Sequence, residues 1–236
     1  MININRKKIT KTIDERFAYL YTKLLGKNVL ILDLETTGLI CNKKEFANYT
    51  NNDIYDQCRI IEIGYSFINN FKSDNHINIY DYFRKPHNNE NISVSIEAQN
   101  LHNISNDIIN NQGHTLIDIL QYNLYLYIMN ADYIICHNIN FDMYVLLNEL
   151  HRINQSELIN KILNMHQYKR MFCTCIMTGY KKLTDLYSKK FNCIPNNAHR
   201  AYGDVKLLIE LIFGNQLQDN NYKLITNILP VNNNIL

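Results

Sequence analysis

An α/β fold is what the sequence predicts, and three features predict it. Two apolar runs, Val29–Leu32 and Ala131–Cys136, have the length and composition of buried strands. Apolar stripes at helical spacing lie elsewhere, at 12–25, 141–150 and 205–212. The 236 residues, 46% hydrophobic and 19% charged, suffice for one sizeable core.

Taken along the chain, Thr12 and Glu15 form a capping box, Ile13, Phe17, Leu20 and Leu24 share one helix face, and Gly26 can end the helix. That face must cover the domain or a partner, and covering the sheet is the expectation. The strand Val29–Leu32 follows, and side chains alternate along a strand, so Asp33 and Glu35 project to one side. Two carboxylates on one face at the end of a buried strand repel each other, and burial penalises both charges. No lysine or arginine lies within several residues on either side, so a divalent metal is the simplest counter-charge. A strand ending in solvated acids is the alternative. Ile40 to Gln57 is a long polar, charged stretch, either a functional loop or a solvated insertion.

The second strand run, ADYIIC, leads directly into HNINFD. Asn140 is the expected N-cap of a helix whose stripe is Phe141, Val145, Leu146 and Leu150, which places Asp142 in its first turn. Cys173 and Cys175 alternate along a further expected strand. Val205, Leu208, Leu211 and Ile212 mark the last strong helix, with Asp204 near its start and His199 five residues ahead. Alone, Asp142 reads as a dipole-compensating acid and His199 as a cap or surface residue. Beyond Gly214, 221–229 reads as a short helix-like segment.

The ordered set D-L-E-T-T-G-L, H-N-x-N-F-D and H-R-A-x-G-D resembles the three motifs of the DEDDh 3′–5′ exonucleases. That family includes the proofreading subunit of bacterial replicative polymerase, ribonuclease T, oligoribonuclease and the mammalian three-prime repair exonucleases. RIIEIGYSF (59–67), IEAQNLHNIS (96–105) and KLTDLYSKKFN (182–192) are similar to the segments between the motifs, so the resemblance covers about residues 28–213. It implies a ribonuclease-H-like α/β fold with a mixed five-stranded sheet flanked by helices. Strands near 28–34, 59–68 and 77–84 would form an antiparallel group, extended by strands near 132–136 and 171–175. The organisation expected is a helical extension (1–27), the exonuclease domain (28–214) and a short tail (215–236).

The resemblance further implies that Asp33, Glu35, Asp142 and Asp204 hold two Mg²⁺ or Mn²⁺ ions, hard cations that favour oxygen ligands. Two ions about 3.5–4 Å apart can clamp the attacking and leaving oxygens of an in-line displacement. His199 would be the general base for the attacking water, its unperturbed pKa of about 6.5 suiting that task. Thr36 would lie near the terminal 3′-hydroxyl and Leu39 against the last base, with His102 and Phe141 lining the same pocket. His137 would contact sugar or phosphate, or else be a satisfied strand-end histidine. Where the family carries Gly after the position of His102 this chain has Asn103, which tolerates a left-handed backbone.

Charge and composition fit this picture. The net charge is +2, with Lys169, Arg170, Lys181, Lys182, Lys189, Lys190 and Arg200 gathered before or at the third motif. Such a face can follow phosphates, or be a solvated helix surface; the weak overall basicity points to short engagement with a chain end. The 37 asparagines are dispersed through patterned segments, which indicates an AT-rich genome and not a prion-like tract. No stretch approaches a membrane span, MININRKKITK is no secretory signal, and six cysteines without a C-x-x-C pair read as reduced thiols in a cytoplasmic or nuclear setting. The function expected is release of nucleoside 5′-monophosphates from single-stranded 3′ ends. DNA proofreading or repair, with a polymerase or another replication or repair protein as partner, is slightly favoured by E-T-T-G. The alternatives are an exoribonuclease trimming RNA or short oligoribonucleotides, and a catalytically idle module that binds nucleic-acid ends or a polymerase.

Overall fold

The computed structural model describes residues 11–40, 48–72, 76–87, 90–214 and 222–226. In chain order these form α1 (Ile13–Leu24), β1 (Val29–Thr36), the one-turn α2 (Asn52–Tyr55), β2 (Ile60–Ile68), β3 (Ile77–Phe83), α3 (Ile96–His102) and α4 (Asn106–Gln112). Then come α5 (Leu116–Ile119), continued through a π-turn at Leu120–Leu124 into α6 (Tyr125–Asn130), β4 (Tyr133–Cys136), α7 (Ile139–Arg152) and α8 (Ser156–Gln167). β5 (Met171–Cys173), α9 (Thr174–Met177), α10 (Leu183–Phe191), α11 (Ala201–Phe213) and β6 (Tyr222–Thr226) complete it. None of the helices among the described residues is long and apolar enough to cross a membrane.

The sheet runs β5-β4-β1-β2-β3-β6. β1, β2 and β3 are antiparallel neighbours, while β4 is parallel to β1 and β5 parallel to β4. The five expected strands are therefore present in a mixed sheet. A sixth is added where the sequence suggested a helix at 221–229: Tyr222–Thr226 pairs in parallel with Ile77–Asp81. A short apolar run carries little periodicity of its own, and the open edge of β3 supplies the backbone partners that settle it.

β1 divides the two halves of the core. Leu30, Leu32 and Leu34 pack with α5–α8 on one face, and Val29 and Ile31 with α1 and α11 on the other. Asp33 and Glu35 continue the Val29–Ile31 face beyond the apolar cover. The expected helix at 12–25 is α1, with its capping box made by Glu15 N donating to Thr12 Oγ1 (3.2 Å) and Thr12 N donating to Glu15 Oε2 (2.6 Å). Its buried Phe17, Leu20, Tyr21 and Leu24 pack against α11 and the sheet, with Tyr21 edge-on to Phe71 and Phe213.

Two local expectations shift. Helix α7 starts after Asn138, not Asn140, because the Asn138 carbonyl already accepts from Phe141 N (2.9 Å) and Asp142 N (3.3 Å). β5 ends at Cys173, so Cys175 is not a strand residue; Cys175 N donates to His137 O (2.8 Å) and the chain turns into α9. Asn103 does adopt the left-handed conformation, at φ 58°.

One close approach sets the site. Gly64 on β2 lies opposite Asp33 in register, and a Cβ there would stand 2.4 Å from the Ala201 carbonyl carbon and 2.6 Å from Tyr202 N. The first turn of α11 rests directly on the sheet at this point, and the contact is backbone, which no rotamer change can relieve. Gly64→Ala is expected to cost about 1–3 kcal/mol through overpacking and to lift the α11 start. Urea denaturation checks this, and a midpoint unchanged from wild type would contradict it.

Candidate active site

The end of β1 and the first turns of α7 and α11 converge. Ligand atoms of Asp33, Glu35 and Asp204 all lie within 4.8 Å of one another. Asp142 is 3% exposed and comes from the α7 side, its carboxylate accepting the Leu34 amide at the same strand end. The acids drawn from three separated motifs thus share one neighbourhood.

Their electrostatics follow from that crowding. Burial, then the charges of Asp204, Asp142, Glu35 and Glu62, holds Asp33 well above the usual carboxylate range. Burial and then Glu62, Asp204 and Asp142 push Glu35 up to about 8. Asp142 is pushed up to about 8, by burial first, although its own amide and that of Leu34 pull the other way. Asp204 is raised to about 7 by burial, with the His199 amide opposing and Glu62 adding to the rise. One oxygen of Asp204, Oδ1, is buried without any hydrogen-bond partner. Buried carboxylates with an orphaned oxygen and hard-oxygen chemistry fit a bound divalent cation, which would let the group ionise.

Sequence reasoning missed Glu62, which sits opposite Glu35 in the β1–β2 register and is fully buried. Its Oε1 accepts from Arg200 Nε (2.8 Å) and Nη2 (2.5 Å), and its Oε2 from Ala201 N (2.8 Å). Asp81 is pushed up to about 9 by burial and then by Glu62, and its Oδ1 is buried without a hydrogen-bond partner. A glutamate inside the apolar run IIEIG was the available signal, since an unpaired charge does not belong there. Arg200, expected among the phosphate-following cations, is therefore committed to Glu62 and stacks over Phe83 and Tyr202, 5.0 and 5.5 Å from the ring centroids. Lys190 is likewise occupied, donating to Leu211 O (2.9 Å) beside Phe17 and Phe191. Lys169, Arg170, Lys181, Lys182 and Lys189 are exposed.

His199 is exposed in the turn ahead of α11, at φ 62°. Beside the acids opens a cleft of about 860 Å³ whose lining includes Glu35, Thr36, Leu39, His102 and Phe141. Leu39 stands at its rim, 65% exposed. Thr36 Oγ1 donates to Gly38 O (2.8 Å) and braces the turn after β1. His102 is buried; Ile104 N donates to its Nδ1 (3.1 Å), so Nε2 carries the proton and donates to Thr36 O (3.3 Å). Burial lowers its pKa, so it serves that turn as a neutral donor.

His137 is not brought to this cleft. Its Nδ1 pairs with Thr174 Oγ1 (3.0 Å) and its Nε2 donates to Lys181 O (2.9 Å), so both ring nitrogens are spent inside the fold. The contact to sugar or phosphate is replaced by the other role open to it, a satisfied strand-end histidine.

Of the 40–57 stretch, 41–47 lie outside the described residues; of the remainder, the two ends reach the site wall, beginning with Ile40. Asp56 and Gln57 line the cleft. Asn148 Nδ2 donates to Tyr49 O (2.7 Å) and Asn52 Oδ1 (2.9 Å), Arg152 to Asn52 O (2.9 Å) and Asp56 Oδ1 (2.7 Å), and Thr37 Oγ1 to Gln57 O (2.9 Å). Beneath it lies a second unforeseen group. Arg59 pairs with Glu149 (2.8 Å) and Glu90 (2.8 Å), and Arg84 with Glu90 (2.8 Å) and Glu149 (3.1 Å), two cations against two anions with both arginines and Glu149 buried. Except for Arg84 and Glu90, six positions apart, the pairs join residues far apart in sequence, which periodicity cannot match.

Against known proteins, the family model RNase_T, described as Exonuclease, matches residues 30–212. Among solved structures, S. pombe Pop2p in its Mg²⁺- and Mn²⁺-bound form is similar at TM-score 0.54 and 14% identity, over 85% of this chain and 87% of that one. E. coli Exonuclease I in complex with a dT13 oligonucleotide is similar at TM-score 0.54 and 14% identity, over 80% of this chain but only 41% of that one. A 3′-exonuclease that recognises the histone mRNA stem-loop gives TM-score 0.50 and 16% identity, over 79% and 80%. These identities carry the fold alone. No match was found among curated protein sequences.

The acid cluster makes stability depend on pH with a definite sign. A carboxyl held above its unfolded-state value keeps a proton that the unfolded chain has already released. Stability of the metal-free protein should therefore fall as pH rises from about 4, where unfolded carboxyls ionise, through about 8, where Glu35 and Asp142 do. Saturating Mn²⁺ or Mg²⁺ should raise the melting temperature most at the upper end of that window. Thermal melts from pH 4.5 to 8.5 with chelator and with metal measure both effects, and a metal-independent, flat profile would contradict the cluster's role.

Proposed function

The chain belongs to the RNase_T exonuclease family, whose model matches residues 30–212, and from that membership we propose a divalent-metal-dependent 3′–5′ exonuclease that releases nucleoside 5′-monophosphates from single-stranded ends. The observation that carries the reading is the cluster Asp33, Glu35 and Asp204, with an orphaned oxygen on Asp204 and with Glu35 in the wall of the cleft of about 860 Å³.

Asp33, Glu35, Asp142 and Asp204 would hold two Mg²⁺ or Mn²⁺ ions, which supply counter-charge for the phosphate and a lowered pKa for water. His199, exposed beside Asp204, takes the proton of the attacking water. The cleft receives the terminal nucleotide, with Leu39 and Phe141 presenting apolar surface to its base and the turn at Thr36, held by His102, facing its sugar. Among the described residues its lining includes Glu35, Asp56 and Glu97 but no lysine or arginine, which suits bases and sugars more than phosphates. Base–apolar contact is tolerant of sequence, as a degrading enzyme requires. Reading an unpaired end this way favours single strands, and the DNA proofreading or repair role, with a replication or repair partner, stays slightly ahead of RNA trimming on the E-T-T-G motif. A cytoplasmic or nuclear setting belongs to the same reading.

Digestion of matched 5′-labelled single-stranded DNA and RNA with Mg²⁺ tests it. A descending ladder is expected from wild type and none from Asp204→Ala; His199→Ala should lose about 10²–10⁴-fold in kcat. The faster substrate decides between DNA and RNA. No ladder on either with either metal would sink the proposal and leave an idle end-binding module.

A further inference from the structure

The proposed chemistry needs His199 and Asp204 delivered together, yet both hang from one turn with no side-chain cap. Helix α11 has Arg200 at its N-cap position and no side-chain hydrogen bond closing it. The preceding residues Asn197 and His199 both have left-handed backbones, at φ 60° and 62°. For non-glycine residues such conformations cost free energy and persist only where the surroundings hold them. The loop is pressed further by Gly203, where a Cβ would stand 2.0 Å from Asn197 O. Something outside the turn must fix it.

We propose that Glu62 is that device, a positioning residue that acts through Arg200 and Ala201 to aim His199 and Asp204. This rests on the exonuclease reading of the site. Glu62 lies on the central strand pair, in register with Glu35, so its carboxylate starts from the same rigid level as the β1 acids. Its Oε2 takes the Ala201 amide, one of the donors that a helix start leaves unpaired. Its Oε1 takes the Arg200 fork, on the residue between His199 and Ala201. A buried carboxylate receiving a charged fork and a backbone amide defines the corner in two directions, which a neutral cap cannot do.

The same pairing has a second consequence. Arg200 is near enough to Glu35 to favour its ionised form. Held by Glu62, with Asp81 Oδ2 3.8 Å away, the guanidinium is committed to the β2 and β3 acids. Released, it would compete with a cation for Glu35. Glu62 thus both shapes the turn and restrains this positive side chain from occupying the metal's place.

Glu62→Gln and Arg200→Lys test the proposal in the full chain, beside wild type and Asp204→Ala. Glu62→Gln keeps size and one acceptor but loses the charge; Arg200→Lys keeps the charge but loses the fork. The expected result for Glu62→Gln is a fall in kcat of about 10–100-fold, with KM for a single-stranded oligonucleotide unchanged because the cleft is untouched, and a smaller Mn²⁺-induced rise in melting temperature. Arg200→Lys should fall between it and wild type on both readouts. A merely structural role would lower the melting temperature and leave kcat per folded molecule and the Mn²⁺ response as they are. Folded Glu62→Gln with wild-type kcat and Mn²⁺ response overturns the proposal; should that variant not fold, wild-type values in Arg200→Lys overturn it. If wild type yields no ladder, the exonuclease reading fails by itself. An Mn²⁺ response equal in wild type and Glu62→Gln would then separately overturn the role of Glu62.

Discussion

Six buried or half-buried carboxyl groups at one end of a β-sheet, Asp33, Glu35, Glu62, Asp81, Asp142 and Asp204, are the constraint around which this molecule is arranged. Like charges withdrawn from water raise one another's pKa, and the raised values of five of the six record that cost. The stabilising free energy has to come from elsewhere. It comes from apolar packing on both faces of β1, from the α1 and α11 layer on one side and α5–α8 on the other. Within the cluster the fold resolves two of the six internally, by setting Asp81 and Arg200 around Glu62. Asp33, Glu35, Asp142 and Asp204 are the four that the proposed function assigns to a cation.

The division was partly legible. Asp142 and Asp204 were assigned only through the resemblance of their motifs to those of the DEDDh exonucleases, while Asp33 and Glu35 could be read because the period of a strand puts them on one face. The α1 capping box and the left-handed Asn103 were legible for the same reason: each is a local rule with a local signature. What escaped reading is non-local. Nothing within reach of Glu62 along the chain reveals Arg200, and nothing near Arg59 or Arg84 reveals Glu149. β6 takes its identity from the free edge of β3. His137 could be assigned only when the backbone of Lys181 and the hydroxyl of Thr174 were seen to take its two nitrogens.

Recognition and chemistry are separated in the same way. Among the described residues the cleft lining carries acids, neutral polar and apolar groups but no lysine or arginine, while exposed Lys169, Arg170, Lys181, Lys182 and Lys189 lie in the segment from the end of α8 to α10. A chain whose net charge is only +2 gains little long-range attraction for a polyanion. On the proposed reading, binding energy comes from contact with the end itself, through Leu39, Phe141 and the turn at Thr36, which agrees with action at termini better than with tracking along a duplex.

Rigidity has been placed where the two halves of the site meet. Asp33 and Glu35 are fixed by pairing with β2 on a strand that β4 also holds at its start, whereas His199 and Asp204 ride on a turn with left-handed backbone. A turn of that kind would move independently of the sheet unless something tied the two together. Gly64 lets the α11 backbone touch β2, and Glu62, two residues away on the same strand, grips it there. Being adjacent on one face of β2, these two residues transmit the precision of the sheet to the turn. The spacing between the β1 acids and Asp204 is then set by strand register and not by the length or flexibility of the loop before α11.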